Sequence, residues 1–329
     1  MKMLKTMKNL CLAVAAALMC SSCIYDKDVY GSGGDDVVLR QTVSFDWSGI
    51  STPLPQSLTL AFFRHAANEP VFYGVVCRPQ VEVALAADTW QTIAWNSDVE
   101  SLTASGNTYD TYTVSAHVTS LAYNAPAFQS SRSMPRAAAT ESETVIMQPD
   151  SLLVGTQDGF EVSMDHDEEI PLTMQAAVNT ITFTIHNVQN LGYVTDVMAT
   201  LSGMSGGYQP GVDQLTAASC IIPFAMKSDG SSRLEGSCTV FGTIDTAHWR
   251  QSAQAQSTHQ LVIYAILTDG TKWYTSYDVT SAVNTATQQG TTDVHVEIDR
   301  LPFPEPINNG SGVNPTVDEW NEVNIGVDL

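Results

Sequence analysis

Leu261-Val262-Ile263-Tyr264-Ala265-Ile266-Leu267 is apolar without a break, and Asp269-Gly270 separates it from Lys272-Trp273-Tyr274-Thr275. A short run of this kind is what a strand covered on both faces requires, because neither side of the pleat meets water. Asp-Gly between two such runs predicts a hairpin with a type I′ turn, since glycine supplies positive φ without strain. This stretch therefore reads as two central strands of a sheet.

Working outward, the same period recurs. Ile181, Phe183 and Ile185 alternate with Thr182, Thr184 and His186, and Val294, Val296 and Ile298 alternate with His295, Glu297 and Asp299. Upstream, Val43 and Phe45 alternate with Ser44 and Asp46 up to Trp47, and Leu58, Leu60 and Phe62 with Thr59 and Ala61. Val71 to Val76, two runs between Val81 and Trp95, Tyr109 to Val118 and Val145 to Gly155 are also strand-like. No amphipathic pattern supports a helix longer than about two turns. The fold class is all-β, built as sandwiches whose inner faces form the cores. Gln129 to Glu143, rich in Ser, Ala and Pro, reads as a long exposed loop. Asp165-His166-Asp167-Glu168-Glu169 is the sharpest charge cluster. Four carboxylates around a turn more often face water than hold a cation, and the domain boundary is placed there.

The N-terminus has a different logic. Lys2, Lys5 and Lys8 precede an apolar run from Leu10 to Met19, too short for a hydrocarbon core of roughly 30 Å. Leu18-Met19-Cys20-Ser21-Ser22-Cys23 then ends as a bacterial lipoprotein signal does, with Cys20 where leucine is more usual. Lipid on Cys23 would tether the chain to a membrane, since several acyl chains hold where one does not. Ile24 to Val37 follows as a flexible acidic tether containing Asp26, Lys27, Asp28 and Gly31-Ser32-Gly33-Gly34-Asp35-Asp36. Acidic residues just behind the cysteine resemble the signal that sends lipoproteins of the Bacteroidetes to the outer cell surface. The expected divisions are a signal peptide at 1–22, a tether at 23–37, an N-terminal sandwich at 38–165 and a C-terminal sandwich at 166–329.

Composition removes several functions. The formal net charge of −21 repels nucleic acid, so no nucleic-acid partner is expected. Beyond Cys23 the cysteines are Cys77, Cys220 and Cys238, and no Cys/His spacing suits zinc. Cys220 and Cys238 are the candidate disulfide; two buried free thiols are the alternative. No cofactor or metal is expected. Gly203-Met204-Ser205-Gly206-Gly207 fits the nucleophile elbow in letters. The Gln209-Pro210-Gly211 turn that follows argues against the helix an elbow needs, so no catalytic residue is assigned. Glycosidase carboxylates are paired in space, and sequence does not exclude them. Asp150-Ser151-Leu152 and Asp245-Thr246-Ala247 resemble the three-residue O-glycosylation site of Bacteroidetes, at about the frequency chance gives.

Phe45-Asp46-Trp47, Asp278-Val279-Thr280 and the ending Leu301-Pro302-Phe303-Pro304-Glu305-Pro306…Gly310-Ser311-Gly312…Val317-Asp318-Glu319-Trp320 resemble an uncharacterised branch of the fimbrillin-like lipoproteins of Bacteroidetes. This branch is related to fimbrial anchor and assembly proteins. The resemblance implies two transthyretin-like, Greek-key β-sandwiches in tandem and lipid on Cys23. It further implies a non-catalytic place as anchor or accessory subunit of a surface fimbrium at the outer membrane. The partners would be that membrane and other fimbrial subunits, met by β-strand addition.

Two further sites follow. Arg40 stands where the tether is expected to become a strand from Gln41 to Trp47. A protease cutting after it would mark a polymerising stalk subunit, whereas an anchor should keep its lipid and stay uncut; a strand-edge arginine is the preferred reading. Val323, Ile325, Val327 and Leu329 alternate with Asn324, Gly326 and Asp328 to the last residue, which an idle tail would not need. This segment should fill a groove, in its own C-terminal domain by preference or in a neighbour by strand addition, with Trp320 as a core plug. A surface glycan-binding lipoprotein is the other class considered. It would need exposed platforms among Trp90, Trp95, Trp249, Trp273 and Trp320.

Overall fold

The computed structural model describes residues 37–64, 69–123, 125–129, 133–165, 169–243, 258–288, 293–306 and 319–323. The chain opens with β1 (Val38–Asp46), β2 (Ser57–Arg64), β3 (Val71–Val76), β4 (Gln80–Ala86) and β5 (Asp88–Asn96), then β6 (Leu102–Ser105), β7 (Thr113–Ala116) and β8 (Thr144–Val145). Next come β9 (Leu153–Val162), β10 (Ile170–Thr173), β11 (Gln175–Ala176), β12 (Asn179–Gln189) and β13 (Val194–Ser205). Then follow β14 (Gly207–Gln209), β15 (Gln214–Leu215), β16 (Ser219–Ser228), β17 (Leu234–Val240), β18 (Gln260–Leu267) and β19 (Lys272–Asp278). Helix α1 (Thr280–Gln288), β20 (Asp293–Pro302) and β21 (Trp320–Glu322) complete it. The class is all-β, as the alternation requires.

The first sandwich packs the sheet β10-β1-β4 on the sheet β11-β9-β5-β2-β3. Val43, Phe45, Leu58, Leu60, Phe62, Leu85 and Trp90 fill the space between. β2 and β5 are buried on both faces. Ala61 and Phe63, with Ile93 and Trp95, point the other way, into the larger core that continues beneath them. Trp95 spans that junction and donates its indole N–H to the Tyr112 hydroxyl at 3.0 Å.

The second sheet runs β20-β12-β17-β16-β13-β18-β19-β21 and a smaller one β15-β14-β7-β6. A sheet this wide curls. Its concave face carries Ile181, Phe183, Ile185, Leu201, Ile263 and Val296, all buried in one core. The parallel pair β12–β20 keeps its polar partners outside: His186 meets Glu297, and Asn187 donates to Asp299 at 2.6 Å.

β18 behaves as read. Leu261, Ile263 and Ala265 face the large core, and Val262 and Tyr264 face a third cluster on the convex side. The turn after it differs from type I′. Ile266 pairs with Lys272, and only Gly270, at φ 80°, is left-handed. Leu267 N–H donates to Thr271 at 2.9 Å, and Gly270 N–H to Leu267 at 2.8 Å. This three-residue loop needs one positive φ, and Asp269 serves it by accepting from the Thr271 N–H (2.9 Å) and hydroxyl (2.6 Å).

One other expectation is corrected. The segment through 129–143 is partly buried. Phe128, Ala137 and Thr140 are buried, and Tyr264 donates its hydroxyl to the Pro135 carbonyl at 2.6 Å. Small side chains let this strap lie against the convex face, and Arg136 fastens its end by donating to the carbonyls of Glu141 (3.1 Å) and Glu143 (2.7 Å). Strands on both sides of 165/166 share sheets. β10 and β11 return to pair with β1 and β9, while β7 pairs with β14 and β8 with β16. Strand order in space, not chain order, divides the sandwiches.

Candidate functional site

The chain's last described strand, β21, joins the edge of β19 in parallel, Trp320 beside Lys272 and Glu322 beside Tyr274. Val323 follows. It is buried, its N–H donates to the Tyr274 carbonyl at 2.8 Å, and its carbonyl accepts from the Thr275 hydroxyl at 3.1 Å. The Trp320 ring stacks on Phe128 (6.1 Å between centroids, 8°) and meets Tyr264 edge-on (5.4 Å). The buried indole N–H of Trp320 has no hydrogen-bond partner among the described residues. Burial around it also pushes the Tyr264 hydroxyl up to about 12. Trp320 thus pins a late strand to the strap and to β18. Of the four alternating residues, Val323 is in this seat; Ile325, Val327 and Leu329 lie outside the described residues, as does Cys23.

Arg40 is the third residue of β1, not a residue ahead of it. The strand begins at Val38 and pairs with β4 from the outset, Arg40 opposite Ala84. Its guanidinium reaches Glu82 at 3.5 Å with both side chains well exposed, a contact worth little in water. Only the second half of β1, from Val43, is also held by β10.

Cys220 and Cys238 are not bridged; both are buried free thiols. Their strands pair through Met226↔Gly236, a register that carries Cys238 toward Phe224 rather than toward Cys220. Burial pushes the Cys220 thiol up to about 11, and that of Cys238 higher still, so neither forms thiolate at neutral pH. Ser205 of the G-x-S-x-G letters is fully buried, and its one hydroxyl proton is shared between the carbonyls of Gly207 (2.8 Å) and Thr216 (2.9 Å). Its glycines answer to packing. Gly203 sits at φ 79° in a bulge of β13, where a side chain would strike the His259 ring.

Between the strap and strands β13 and β16 of the larger sheet lies a groove of about 480 Å³, lined by Tyr123, Phe128, Met147, Asp150, Asp196 and Phe224 among others. A neighbouring hollow of about 540 Å³ shares Glu100 and Asp150 with it and adds Leu54 and Asp98. No lysine or arginine lines either hollow. Trp90 and Trp95 are in the cores and cannot serve as stacking platforms, and Trp249 lies outside the described residues. Among the described residues, no group of three or more His, Cys, Asp or Glu is placed to hold a metal ion, and no helix is long and apolar enough to cross a membrane. Asp165 and Glu169 are described, but the middle of that charge cluster is not. Sequence reasoning missed the strap and the Phe128 stack. The one signal for them was Phe128 itself, a large apolar residue immediately before the stretch read as an exposed loop.

Fold and site together define an all-β protein of two joined sandwiches whose last described strand adds to the edge of its own sheet. The Domain of unknown function (DUF5119) family matches residues 27–225, more than half of the chain, and the chain belongs to that family. No curated protein matches it. The structure is similar to that of a candidate adhesin from Bacteroides ovatus, with a TM-score of 0.61, 18% identity and coverage of 85% of this chain and 100% of that one. A second candidate adhesin from Bacteroides ovatus gives 0.49 at 10% identity, covering 80% and 89%. The fimbrial anchor protein Mfa2 from Porphyromonas gingivalis gives 0.47 at 11%, covering 79% and 90%.

Proposed function

We propose that the chain is a non-catalytic fimbrial anchor or accessory subunit, held at the outer membrane by lipid on Cys23 and displayed on the cell surface. The observation that carries this reading is the seat of β21. A subunit that hands its terminal strand to the next subunit leaves its own sheet edge open. Here Trp320 to Val323 add to β19 of the same chain and are pinned by Phe128 and Tyr264. A subunit closed in this way suits an end of a fibre better than its middle. β1 supports the same side of the choice: Arg40 is inside a paired strand, where a protease finds no extended loop to cut. The two-sandwich fold shared with a candidate adhesin is compatible with it.

The test is Cys23→Ala in the native host. The expected result is an unprocessed precursor or a protein released from the membrane fraction. Normal cleavage with continued partition into detergent sinks the anchor. Intact mass of the surface protein beginning at Gln41 would convert the reading to a matured structural subunit.

Glycan binding is the second reading, and the groove beside the strap favours it. Carboxylates of Glu100, Asp150 and Asp196 can accept from sugar hydroxyls beside the ring of Tyr123. Retention of the protein on immobilised surface glycans, lost in Asp150→Asn, would support it.

A further inference from the structure

Of the sheet edges in the described residues, one is unprotected. β11, β15 and β21 are two or three residues long, and β6 is four. β10 carries Pro171. β4 carries Glu82, and β20 carries Glu297, Asp299 and Arg300 and ends in Pro302. β3, Val71-Phe72-Tyr73-Gly74-Val75-Val76, has six residues with no charge and no proline. It pairs with β2 through six consecutive residues without a bulge, and its far side pairs with no described strand. Natural proteins blunt such an edge with charge, proline or a bulge, because it is a template for another strand. Phe72 and Val76 are 49% and 62% exposed there.

We infer that β3 is a self-association edge, pairing antiparallel with β3 of a second copy of this chain. The register follows from the backbone. Cys77 N–H donates to Gln56 at 2.9 Å, so the odd-numbered residues of β3 bond inward to β2. The N–H and C=O groups of Phe72, Gly74 and Val76 therefore face outward. A two-fold axis at Gly74 sets Phe72 opposite Val76 of the second copy, Gly74 opposite Gly74, and Val76 opposite Phe72. All are hydrogen-bonded pairs, and the two most exposed apolar side chains of the strand cover each other. Aromatic against β-branched is a favoured cross-strand pair. Gly74 has nothing within 4 Å of where a Cβ would stand, so the Phe72 ring of the second copy can lie over it.

Charge selects the same geometry. Glu69 precedes the strand and Arg78 follows it, both beyond its apolar stretch. Antiparallel pairing brings Glu69 of each copy to the end that holds Arg78 of the other. Parallel pairing would set Glu69 against Glu69. The interface is isologous and closes at two copies. It is independent of the anchor reading, since it uses neither Cys23 nor β21.

Sedimentation velocity of the full chain in mild detergent tests this. The expected result is a concentration-dependent dimer, well formed at about 100 µM, because an interface this small belongs to the weak class. Gly74→Pro removes only an outward N–H, and Val76→Lys places charge on the edge; each should weaken dimerisation at least tenfold with the melting temperature unchanged. A wild-type chain that stays monomeric at that concentration overturns the proposal, as does a dimer that survives both substitutions. Cross-linking checks the register. Gly74→Cys in a Cys77→Ser background should form an intermolecular disulfide on mild oxidation, because facing Cα atoms about 5.5 Å apart are within bridging range. Failure to bridge while the dimer persists overturns the two-fold at Gly74. Should β3 substitutions leave the isolated chain monomeric as before but abolish a mixed complex with another fimbrial subunit, self-pairing is overturned.

Discussion

β3 and β19 are both outer strands of the paths their hairpins build, and they end differently. β19 receives β21 and with it a tryptophan, a buried valine and two hydrogen bonds to Val323. The outer backbone of β3 pairs with no described strand, although β3 is the more apolar strand and has no charge; only its side chains find further partners, the Phe72 ring at Tyr112 and the Tyr73 hydroxyl at Ala84. Apolar character alone does not decide whether a chain closes its own edge. What matters is whether a later segment can reach, and β19 has a downstream strand within reach. The molecule thus has one edge completed from within and one left for a partner.

The largest expected effect breaks the completed edge. Deleting residues 319–329 should lower the melting temperature of the monomer by about 10 °C, from the loss of a buried Val323, ~1.5–3 kcal/mol, and of the aromatic stack, ~0.5–1.5 kcal/mol. A truncated monomer that melts unchanged, yet no longer joins its partner, would make β21 a donor strand. Phe128→Ala comes next. It empties the strap side of the same stack and should cost about 3 kcal/mol in a denaturant titration, as large-to-small core changes do. Trp320→Phe should cost clearly less than Phe128→Ala. It keeps a ring on Phe128 while removing the orphaned indole N–H, whose burial costs about 1–3 kcal/mol. Equal losses would show that the indole makes a contact Phe128 does not report.

Glu143 gives a smaller, pH-dependent effect under the strap. Burial raises its carboxyl above the ordinary 4.5, while hydrogen bonds from Gly203 and Ser219 and the charge of Arg136 pull it back. The folded state therefore favours the protonated form, and its contribution to stability falls as pH rises from about 4.5 through the raised value. Glu143→Gln should flatten that slope and stabilise the protein at neutral pH by less than about 1 kcal/mol, read from melts across that range. The smallest effect is on the bare edge. Val76→Thr should change the stability of the monomer by no more than about 0.5 kcal/mol, because Val76 is 62% exposed.

Much of this was legible and some was not, for reasons tied to particular residues. The unbroken Leu261–Leu267 run showed a strand between two apolar layers because period two has no polar beat there. The Asp269-Gly270 turn was located but mistyped: the letters show that a positive φ is available, not how many residues need one. Ala137 and Pro135 read as solvated because small residues are common in loops, yet small residues are also what a close strap requires. The pairing of β1 with β10, or of β7 with β14, was not legible, because it joins residues far apart in the chain and no local pattern encodes the partner. For the same reason the β-rich run Val71 to Val76 identified β3 as a strand but could not reveal that it lies at an edge.

The parallel pairing of β1 with β10 has a kinetic consequence. Val43 cannot find Ile170 until nearly all of the first sandwich and the whole β6–β8 excursion have been synthesised or exported. Non-local pairings of this kind slow folding, because the loop must close before contacts repay it. Until then β1 has only β4 on one flank, and the faces of β2 and β5 that enter the larger core stay open until β12 and the strands after it arrive. A chain emerging end first therefore carries its half-built barrier layer exposed for most of its passage. Holdase binding to nascent segments should be strongest between the appearance of β5 and that of β10, should drop once Thr173 is free, and should end only when β12 to β20 complete the larger core.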